Sequence, residues 1–318
     1  MKTILITGGT GFLGKRLGLA LKDSYRVILT GRNNKQNHKA AKFTGCEMAP
    51  LDVASIESVR DAFREFKPDI VIHAAATKFV DLSEKFPMEC VDVNVVGSQN
   101  VARVALETGV KVVVGVSTDK ASPPIRNTYG MSKAIMERIF CSMDSKSETK
   151  FTCVRYGNVA WSTGSVLPIW KEMLEKTGTI GTTGPEMRRF FFTVDDAVQL
   201  VLTAIRNIDE TRGKVLSRHM KAAKMREILD VWIEDSGGKW ELIEGRPGER
   251  LDEFLIGDLE IPHTCQIEYN GIPHYLISFN EKVETPVPYG LSSENTERLT
   301  KDEIRNILNN PPEEESNG

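Results

Sequence analysis

Tyr129 and Lys133 are the residues of this sequence best suited to proton chemistry. They stand four positions apart in a stretch whose apolar pattern predicts a helix over residues 129–141. This spacing places both side chains on one face of the helix, where the ammonium lowers the pKa of the phenol. Such a phenolate can accept the proton of an alcohol while the alcohol is oxidised. Because the same spacing also occurs by chance in many helices, the assignment depends on what surrounds it.

Thr118-Asp119-Lys120 forms a second reactive group just before this helix. It follows an apolar run, 111–115, that predicts a buried strand, so the group should lie at the carboxyl end of that strand. Thr118 can hydrogen-bond a reacting oxygen, while Asp119 and Lys120 provide an acid and a base. A carbonyl acidifies the neighbouring C–H, and such a pair can then eliminate water from the next carbon. The alternative is a surface turn with an ion pair.

The elements that must position these groups alternate along the first half of the chain. Apolar runs rich in Val and Ile predict strands, and the amphipathic stretches between them predict helices. The alternation predicts an α/β fold with a parallel sheet covered by helices on both faces, and ligands of such sheets bind at the carboxyl ends of the strands. The predicted strands are 3–6, 26–29, 70–72, 111–115 and 151–155, and the predicted helices are 12–21, 56–66, 94–108 and 129–141.

A glycine-rich loop, Thr7 to Gly14, joins the first predicted strand to the first helix. Gly8 and Gly11 allow the backbone to approach a pyrophosphate, and Gly14 allows close packing of helix and strand. The loop therefore predicts a Rossmann-type, doubly wound domain that binds a dinucleotide. The alternative is a tight turn without a ligand. Further contacts predicted in the same loop are Thr10, Phe12 and Leu13.

Arg32 ends the second predicted strand, where NAD-binding domains of this type place an acidic residue. A guanidinium suits the 2′-phosphate of NADP, so we predict NADP as the cofactor, with a solvated surface arginine as the alternative. Asp52 and Val53 are placed where they can reach the adenine, although Asp52 could equally cap the helix 55–66. Room for the cofactor is predicted beside the small residues after the next strand, Ala74, Ala75 and Ala76.

The predicted domain division follows from where the alternation ends. Residues 1–160 form the dinucleotide-binding domain, to which 190–216 are expected to return. Residues 161–318 form a smaller lobe that binds the substrate. The last ten residues, with two Pro and three Glu and without aromatic residues, are predicted to be disordered.

Composition excludes several other classes of protein. The 318 residues carry a formal net charge of −3, without the basic excess typical of nucleic-acid binding. Five scattered cysteines without a CxxC pair predict reduced thiols in a cytoplasmic protein, and we expect His73 to be packed rather than a metal ligand. No apolar stretch approaches the ~20 residues that span a bilayer, and no signal-peptide pattern precedes the first strand. We therefore predict no nucleic-acid, membrane or metal partner.

The order of motifs along the chain resembles the extended short-chain dehydrogenase/reductase superfamily and, within it, the inverting UDP-N-acetylglucosamine 4,6-dehydratases. The resemblance covers nearly the whole sequence, including a C-terminal latch over 289–303. The glycine-rich loop and the Tyr129–Lys133 spacing are common to the superfamily, whereas STDKA, RYGNV and RPGERLDE are far more specific. The motifs are TGGTGFLG, HAAATK, NVVGSQNV, STDKA, YGMSK, RYGNV, MRRF and EGRPGERLDE.

This resemblance implies a reaction in which NADP stays tightly bound and is regenerated in each turnover. Tyr129, held by Lys133, would oxidise C4 of UDP-N-acetylglucosamine. Lys120 would then remove the C5 proton while Asp119 helps the C6 hydroxyl leave as water. Return of hydride to C6 and protonation of C5 from the opposite face would give UDP-2-acetamido-2,6-dideoxy-β-L-arabino-hex-4-ulose. Lys120 is the informative residue, because the retaining sugar dehydratases carry Asp-Glu here.

The resemblance also implies further contacts and a homo-oligomer, either a dimer or a hexamer. Trp161, Thr163 and Asp252 depart from the family pattern, and the first two are expected on the substrate side. Each substrate contact has an alternative as a surface cation or a turn residue. The additional cofactor contacts are Asn94, Tyr156, Asn158 and Val159. The substrate contacts are Lys78, Thr118, Asn158, Ser165, Val166, Thr179, Arg189, Arg246 and Glu249.

Two other functions stay open at this point. One is a 4-epimerase or a C5-retaining 4,6-dehydratase of a UDP-sugar, since these enzymes resemble the chain in the same superfamily motifs. Epimerases usually space the Ser/Thr and the Tyr further apart and need no Asp-Lys pair. The other is an NADP-sensing protein without catalysis, which usually lacks the Tyr–Lys pair. The joint presence of Tyr129, Lys133, Asp119 and Lys120 favours the dehydratase.

Overall fold

The structure of the chain, a computed structural model, describes residues 1–245 and 248–313. Its strands are β1 (Thr3–Thr7), β2 (Arg26–Gly31), β3 (Glu47–Pro50), β4 (Ile70–His73), β5 (Val112–Val116), β6 (Lys150–Val154), β7 (Asn158–Val159), β8 (Thr179–Thr182), β9 (Arg188–Phe192), β10 (Val215–Arg218), β11 (Ala222–Lys224), β12 (Lys239–Leu242), β13 (Phe254–Ile256), β14 (Thr264–Tyr269), β15 (Ile272–Ile277) and β16 (Leu291–Ser292). Its α-helices are α1 (Phe12–Leu21), α2 (Asn34–Thr44), α3 (Ile56–Phe66), α4 (Val80–Lys85), α5 (Pro87–Val91), α6 (Gly97–Thr108), α7 (Thr128–Asp144), α8 (Val166–Thr177), α9 (Val194–Arg206), α10 (Ile208–Thr211), α11 (Met225–Ser236) and α12 (Lys301–Asn309).

The main sheet has the strand order β14-β15-β10-β6-β5-β4-β1-β2-β3. Strands β1 to β6 and β10 pair in parallel, and the central strands are buried along their whole length. Helices α3, α6 and α7 pack side by side, as do α2, α1 and α9, and together they enclose the sheet. This arrangement confirms the predicted doubly wound α/β fold, and β10 is the returning strand expected near Val215.

The hairpin β14–β15 corrects one predicted boundary. Residues 264–277 were expected in the C-terminal lobe, but β15 pairs antiparallel with β10 and extends the main sheet. Strand β10 would otherwise present an unpaired edge, and the hairpin satisfies its backbone groups. Tyr275, Leu276 and Ile277 are buried there, so the hairpin also closes the core at this end.

Capping residues explain why some helices begin where the sequence predicts. The bounds of α1 and α3 agree with the predicted ones, and Ser55 caps α3 by accepting a hydrogen bond from the Ser58 amide. The capping alternative for Asp52 is therefore wrong; its carboxylate accepts from the Ala54 amide instead, at 3.0 Å. The helix predicted over 94–108 also differs, because residues 92–96 form a π-helical turn before α6 begins.

A smaller lobe packs around three tryptophans. Trp161 and Trp170 both make edge contacts with Trp232, with ring centroids 5.8 and 6.4 Å apart. Helices α8, α11 and α12 supply most of the surrounding apolar residues.

The first residues of the tail predicted to be disordered, 309–318, are ordered. Asn309 still belongs to α12, and Arg16 donates a hydrogen bond to the carbonyl of Glu313. Residues 314–318 lie outside the described part of the chain. Within 1–245 and 248–313, no helix combines the length and apolar composition that a membrane crossing requires.

Arg155 lies fully buried just after β6 and joins three parts of the chain. Its guanidinium donates to both oxygens of Glu137 on α7, at 3.0 and 2.7 Å, and to both oxygens of Glu260, at 2.8 and 2.9 Å. Ser122, two residues after Lys120, also donates to Glu260 at 3.0 Å. The network therefore fixes the Asp119–Lys120 turn against α7 and against the C-terminal segment.

Replacing Arg155 with methionine is expected to destabilise the fold by about 3–5 kcal/mol, because two buried carboxylates lose their common cation. Urea unfolding followed by circular dichroism measures this effect. Arg26→Met is the matched control, since Arg26 makes a comparable paired contact with Glu47 on the exposed surface. Its unfolding midpoint should hardly change. Equal shifts in the two variants would contradict the role given to Arg155.

Candidate active site

A cleft of about 460 Å³ opens at the carboxyl ends of β1, β4 and β5. It brings together most of the residues predicted from the sequence for cofactor and catalysis. These residues are Gly8, Thr10, Gly11, Phe12, Leu13, Gly14, Ala74, Ala75, Ala76, Lys78, Thr118, Lys120, Tyr129, Lys133, Tyr156, Asn158 and Val159. The sequence reasoning missed other lining residues, Phe79, Val116, Ser117, Gly157 and Ser162.

The loop from Gly8 to Gly14 has the shape that a dinucleotide pyrophosphate requires. A Cβ on Gly14 would stand 2.6 Å from the carbonyl oxygen of Gly8, so only glycine allows α1 to begin this close to β1. Gly8 itself adopts a φ of 67°, which favours glycine. The hydroxyl of Ser117, in the same cleft, is buried without a hydrogen-bond partner. The residues present therefore fit a dinucleotide.

Four predicted cofactor residues stand outside the lining of this cleft. Arg32 directly follows β2, with 56% of its side chain exposed and 3.9 Å from a carboxylate oxygen of Glu89. Asp52 and Val53 follow β3, and Val53 is buried against α6. Asn94, predicted as a cofactor contact, does not line the cleft. Its side-chain amide forms hydrogen bonds with the backbone amide and carbonyl of Thr77 and with the hydroxyl of Ser132, so it joins the loop after β4 to α7.

Gly130 allows the two reactive groups to meet. A Cβ at this position would come within 2.2 Å of the carbonyl oxygen of Lys120, so a larger residue would push α7 away from the Asp119–Lys120 turn. Asn127 caps α7 by accepting a hydrogen bond from the Gly130 amide at 2.8 Å, which fixes the first helical turn. Tyr129 consequently lies in the cleft beside Thr118 and Lys120.

The charge around Tyr129 differs from the sequence-based expectation. Burial raises the pKa of Tyr129 to about 12, and the positive charge that lowers it most is that of Lys120. Lys133 was expected to lower this pKa, but its ammonium is directed to the sulfur of Met136, 3.0 Å away. Burial also lowers the pKa of Lys133 to about 8. In this structure the cation that lowers the pKa of the phenol is therefore Lys120, and the role predicted for Lys133 stays a prediction.

Asp119, Lys120 and Glu253 form a buried charge cluster behind Tyr129. The Lys120 ammonium stands 3.0 Å from Asp119 Oδ1 and 3.5 Å from Glu253 Oε1. Thr118 also donates to Asp119 Oδ1, while Oδ2 is buried without a partner. Burial raises the pKa of Asp119, although Lys120 lowers it in part. Asp119 is fully buried behind Lys120 and does not itself line the cleft, but its unpaired oxygen and raised pKa favour a carboxyl that can hold a proton.

Glu253 is the main functional residue that the sequence reasoning missed. Its motif, RPGERLDE, was used for the resemblance, but no role was given to this glutamate. It is separated from Lys120 by more than one hundred residues, so no local spacing could bring the two together. The sequence signal that could have pointed to Glu253 is the high density of charged residues in the segment 249–253.

A second cavity of about 140 Å³ meets the first at Asn158 and lies between α8 and β8. Val166, Arg189 and Glu249 line it as predicted for the substrate. The guanidinium of Arg189 donates to the backbone carbonyls of Arg188, Leu251 and Arg250 at 2.8 to 3.2 Å. Thr183, which the sequence reasoning missed, donates to Glu249 at 2.9 Å.

Three other substrate predictions have different outcomes. The hydroxyl of Ser165 is buried without a partner at the start of α8, beside this cavity. Thr179 lies at the start of β8 and does not line the cavity, which β8 reaches with Gly181 and Thr182 instead. Arg246 lies outside the described residues.

The residues that depart from the family pattern are also placed by the structure. Trp161 faces away from the cleft: its indole donates to the Ile307 carbonyl of α12 at 2.7 Å, and the ring packs in the smaller lobe. The prediction that Trp161 lies on the substrate side is therefore wrong. The carbonyl of Thr163 accepts a hydrogen bond from Lys78 at 2.8 Å, so this loop does reach the cleft. Asp252 pairs with Arg188, with two contacts of 2.6 Å.

The sequence that builds this cleft matches a known protein family. The family is described as polysaccharide biosynthesis protein, and its match spans residues 4–271, most of the sequence. The chain belongs to this family.

Relatives of this chain include proteins named as dehydratases and as epimerases. It is 34% identical to the UDP-N-acetylglucosamine 4,6-dehydratase (inverting) of Campylobacter jejuni subsp. jejuni, over 84% of this chain and 81% of that protein. It is 31% identical to the UDP-glucose 4-epimerase of Rickettsia bellii, over 97% and 96% of the two chains. The solved structure of Pen from Bacillus thuringiensis matches with a TM-score of 0.89 at 29% identity, over 98% and 97%.

These comparisons confirm the resemblance stated for the sequence. The protein has the fold of the extended short-chain dehydrogenases/reductases. One of the two relatives is named for 4,6-dehydration of UDP-N-acetylglucosamine and the other for 4-epimerisation of UDP-glucose. The chemistry of the residues in the cleft therefore bears on which reaction to propose.

Proposed function

We propose that this protein is an NADP-dependent UDP-N-acetylglucosamine 4,6-dehydratase that inverts C5, a hydro-lyase of nucleotide-sugar metabolism. The observation that carries the proposal is the buried pair Asp119–Lys120, whose lysine lines the cleft of the glycine-rich loop beside Tyr129. An epimerase needs a residue that moves the proton of the C4 hydroxyl, and Tyr129 suffices for that. The additional acid and base beside the sugar have a use only when a further bond breaks.

The loop from Gly8 to Gly14 would hold the pyrophosphate of the cofactor, and Arg32 its 2′-phosphate. When bound, the cofactor would supply hydride chemistry at this site, with removal of hydride from C4 and its return to C6. Tyr129 takes the proton of the C4 hydroxyl, and Thr118, which lines the same cleft, orients the C4 oxygen. The positive charge of Lys120 favours the phenolate form of Tyr129.

The elimination is assigned to the two residues of the turn. Once C4 is a carbonyl, the Lys120 ammonium passes a proton to Asp119 across their 3.0 Å contact, which leaves a free amine and a protonated carboxyl. The amine then takes the proton from C5, and the electron pair forms the C5–C6 double bond as the C6–O bond breaks. Asp119 donates its proton to the departing oxygen, so water leaves. The raised pKa of Asp119 suits this role, because it keeps the carboxyl protonated to higher pH than an exposed aspartate.

The nucleotide portion of the substrate is assigned to the second cavity. It adjoins the first at Asn158, so a sugar beside Tyr129 can continue into it through its diphosphate. Arg189 supplies a positive charge in the lining of the second cavity, and the unpaired hydroxyl of Ser165 lies at the start of α8 between the lining residues Gly164 and Val166. We assign Lys78, Val166 and Glu249 to the same substrate path.

Product analysis decides between dehydration and epimerisation. The purified protein, supplied with NADP and UDP-N-acetylglucosamine, is expected to give a product with a C6 methyl signal in the proton NMR spectrum and a 4-keto group. The Rickettsia relative named as an epimerase makes UDP-sugar epimerisation at C4 the second candidate. Formation of UDP-N-acetylgalactosamine without a methyl signal would favour that candidate and overturn the proposal.

Replacing Arg32 with aspartate is expected to lower the preference for NADP over NAD by at least about tenfold, since a carboxylate repels a 2′-phosphate and can bind a ribose hydroxyl. Isothermal titration with each cofactor measures the ratio of the two dissociation constants. Lys42→Asp, at the other end of α2, makes the same change in charge and should leave the ratio unaltered. An unchanged ratio in the Arg32 variant would refute this assignment.

A further inference from the structure

Glu253 is a buried carboxylate whose two oxygens have different partners. It is 4% exposed, immediately before β13. Its Oε2 accepts from Arg250 at 2.6 Å, whereas its Oε1 faces the Lys120 ammonium at 3.5 Å and Arg189 Nε at 3.9 Å. One oxygen is thus anchored, and the other is directed at the residue assigned to deprotonate C5.

Hydrogen bonds from two distant segments fix this orientation. The Glu253 amide donates to the Ser293 hydroxyl at 3.0 Å, and the Ser293 amide donates to the Glu253 carbonyl at 2.8 Å. Arg250 also donates to the Pro124 carbonyl at 2.7 Å, in the loop between Lys120 and Tyr129. The carboxylate is therefore held in place before any substrate binds, which is the condition for efficient electrostatic stabilisation.

We propose that Glu253 is a positioning residue for the removal of the C5 proton: its fixed carboxylate holds the Lys120 side chain in the cleft and stabilises the ammonium that Lys120 becomes. This inference rests on the proposed dehydration. In the step concerned, the C5–H bond breaks, a new N–H bond forms on Lys120, and positive charge appears 3.5 Å from Glu253. Asp119, the other carboxylate beside Lys120, loses its proton to the leaving oxygen in the same elimination.

The electrostatics of the cluster agree with this geometry. Burial opposes the charged form of Lys120, but the carboxylates of Asp119 and Glu253 outweigh it and raise its pKa, against a smaller opposing effect of Arg189. Burial likewise opposes the charge of Glu253, yet Lys120, Arg189 and Arg250 lower its pKa, so it is ionised at neutral pH. Among the described residues, the phenol of Tyr129 is a further titratable group that interacts with Lys120.

The sign of the pH effect follows from these charges. The amine of Lys120 is the reactive form, so C5 deprotonation rises with pH until Lys120 has lost its proton. Without the charge of Glu253 the ammonium is less stable, and this rise moves to lower pH by roughly 1 pH unit or more. A less basic amine also removes the proton more slowly, so the plateau at high pH falls. A residue with only a structural role would lower the rate at every pH without moving the rise.

Glu253→Gln tests this signature, with release of deuterium from UDP-N-acetylglucosamine labelled at C5 measured against pH. We expect a rise at lower pH and a lower plateau than in the wild type, and Glu253→Asp, which keeps the charge, should return the rise toward its wild-type position. Asp252→Asn is the matched control, because this neighbouring carboxylate pairs with Arg188 instead of Lys120. It should leave the position of the rise unchanged.

The outcomes separate this inference from the proposed function. If the wild type releases deuterium and forms the methyl product, but Glu253→Gln shows the rise at the wild-type pH, the inference is overturned and the proposed function stands. If Glu253→Asp, folded by circular dichroism, shifts the rise as far as Glu253→Gln does, the charge is not what matters and the inference also fails. If the wild type forms no dehydrated product, the proposed function and the inference fall together.

Discussion

Replacing Tyr129 with phenylalanine is expected to lower kcat by about 10²–10⁴-fold, the range typical of losing a general base. The substitution removes the phenol oxygen and leaves the ring, so the shape of the cleft and the glycine-rich loop are preserved. Binding of NADP and of the UDP-sugar should therefore change little. The appearance of the 4-keto product, with dissociation constants from isothermal titration, measures both effects.

A pH profile sharpens this prediction. Because burial raises the pKa of Tyr129 to about 12, the phenolate is the minor form at pH 7 and its fraction increases with pH. Oxidation at C4 in the wild type should increase accordingly between about pH 7 and pH 10, and Tyr129→Phe should abolish this increase. Tyr269→Phe is the control, since its hydroxyl bonds Glu210 at the distant hairpin and should keep full activity. Retention of more than about a tenth of the activity in Tyr129→Phe would contradict the role of the phenol.

Replacing Lys120 with alanine is the second change with a large expected effect. C5 exchange with solvent should fall by about 10²–10⁴-fold, while NADP binding is retained, because the amine is assigned only to the C5 proton. Oxidation at C4 should slow to a lesser degree, since the charge of Lys120 also lowers the pKa of Tyr129. Deuterium incorporation at C5, followed by NMR in D2O, measures the first effect.

Lys176→Ala provides the matched control for that experiment. Lys176 pairs with Glu172 on the exposed surface of α8, away from both cavities, so its loss should not affect exchange. Lys120→Arg is a useful companion variant, because a guanidinium keeps the positive charge but does not give up its proton at these pH values. Undiminished C5 exchange in Lys120→Ala or Lys120→Arg would assign the base to another residue.

The parts of the fold that the sequence predicted well are those set by local pattern. The helix 56–66 was predicted with its observed bounds because its apolar spacing acts within one segment, although the observed cap is Ser55 and not Asp52. The glycine-rich loop and the reactive turn were predicted to lie at the carboxyl ends of parallel strands, and residues of both line one cleft. This second success follows from the parallel sheet that the alternation of strands and helices predicts.

Features that depend on contacts across the chain were missed or assigned wrongly. Trp161 was expected beside the substrate, but its indole finds the carbonyl of Ile307 and an apolar pocket in the smaller lobe. Glu253 had no predicted role because only the folded chain brings it to Lys120.

The division of the chain at residue 160, the homo-oligomer, the cytoplasmic location and the roles of individual site residues stay predictions. The structure changes one detail of the predicted domain division, because residues 264–277 join the main sheet. The placement of Asn94 also changes its proposed use: it links the loop after β4 to Ser132 on α7, and so supports the cleft from behind.

The inverting dehydration of UDP-N-acetylglucosamine is the central claim, and one product spectrum tests it most directly. The wild-type protein, supplied with NADP, converts the substrate in D2O, and proton NMR of the product is recorded. We predict a C6 methyl signal, loss of the H5 signal through deuterium from solvent, and the ring conformation of the L-arabino product. A methyl product with the original C5 configuration, or UDP-N-acetylgalactosamine with its H5 signal intact, would contradict the account.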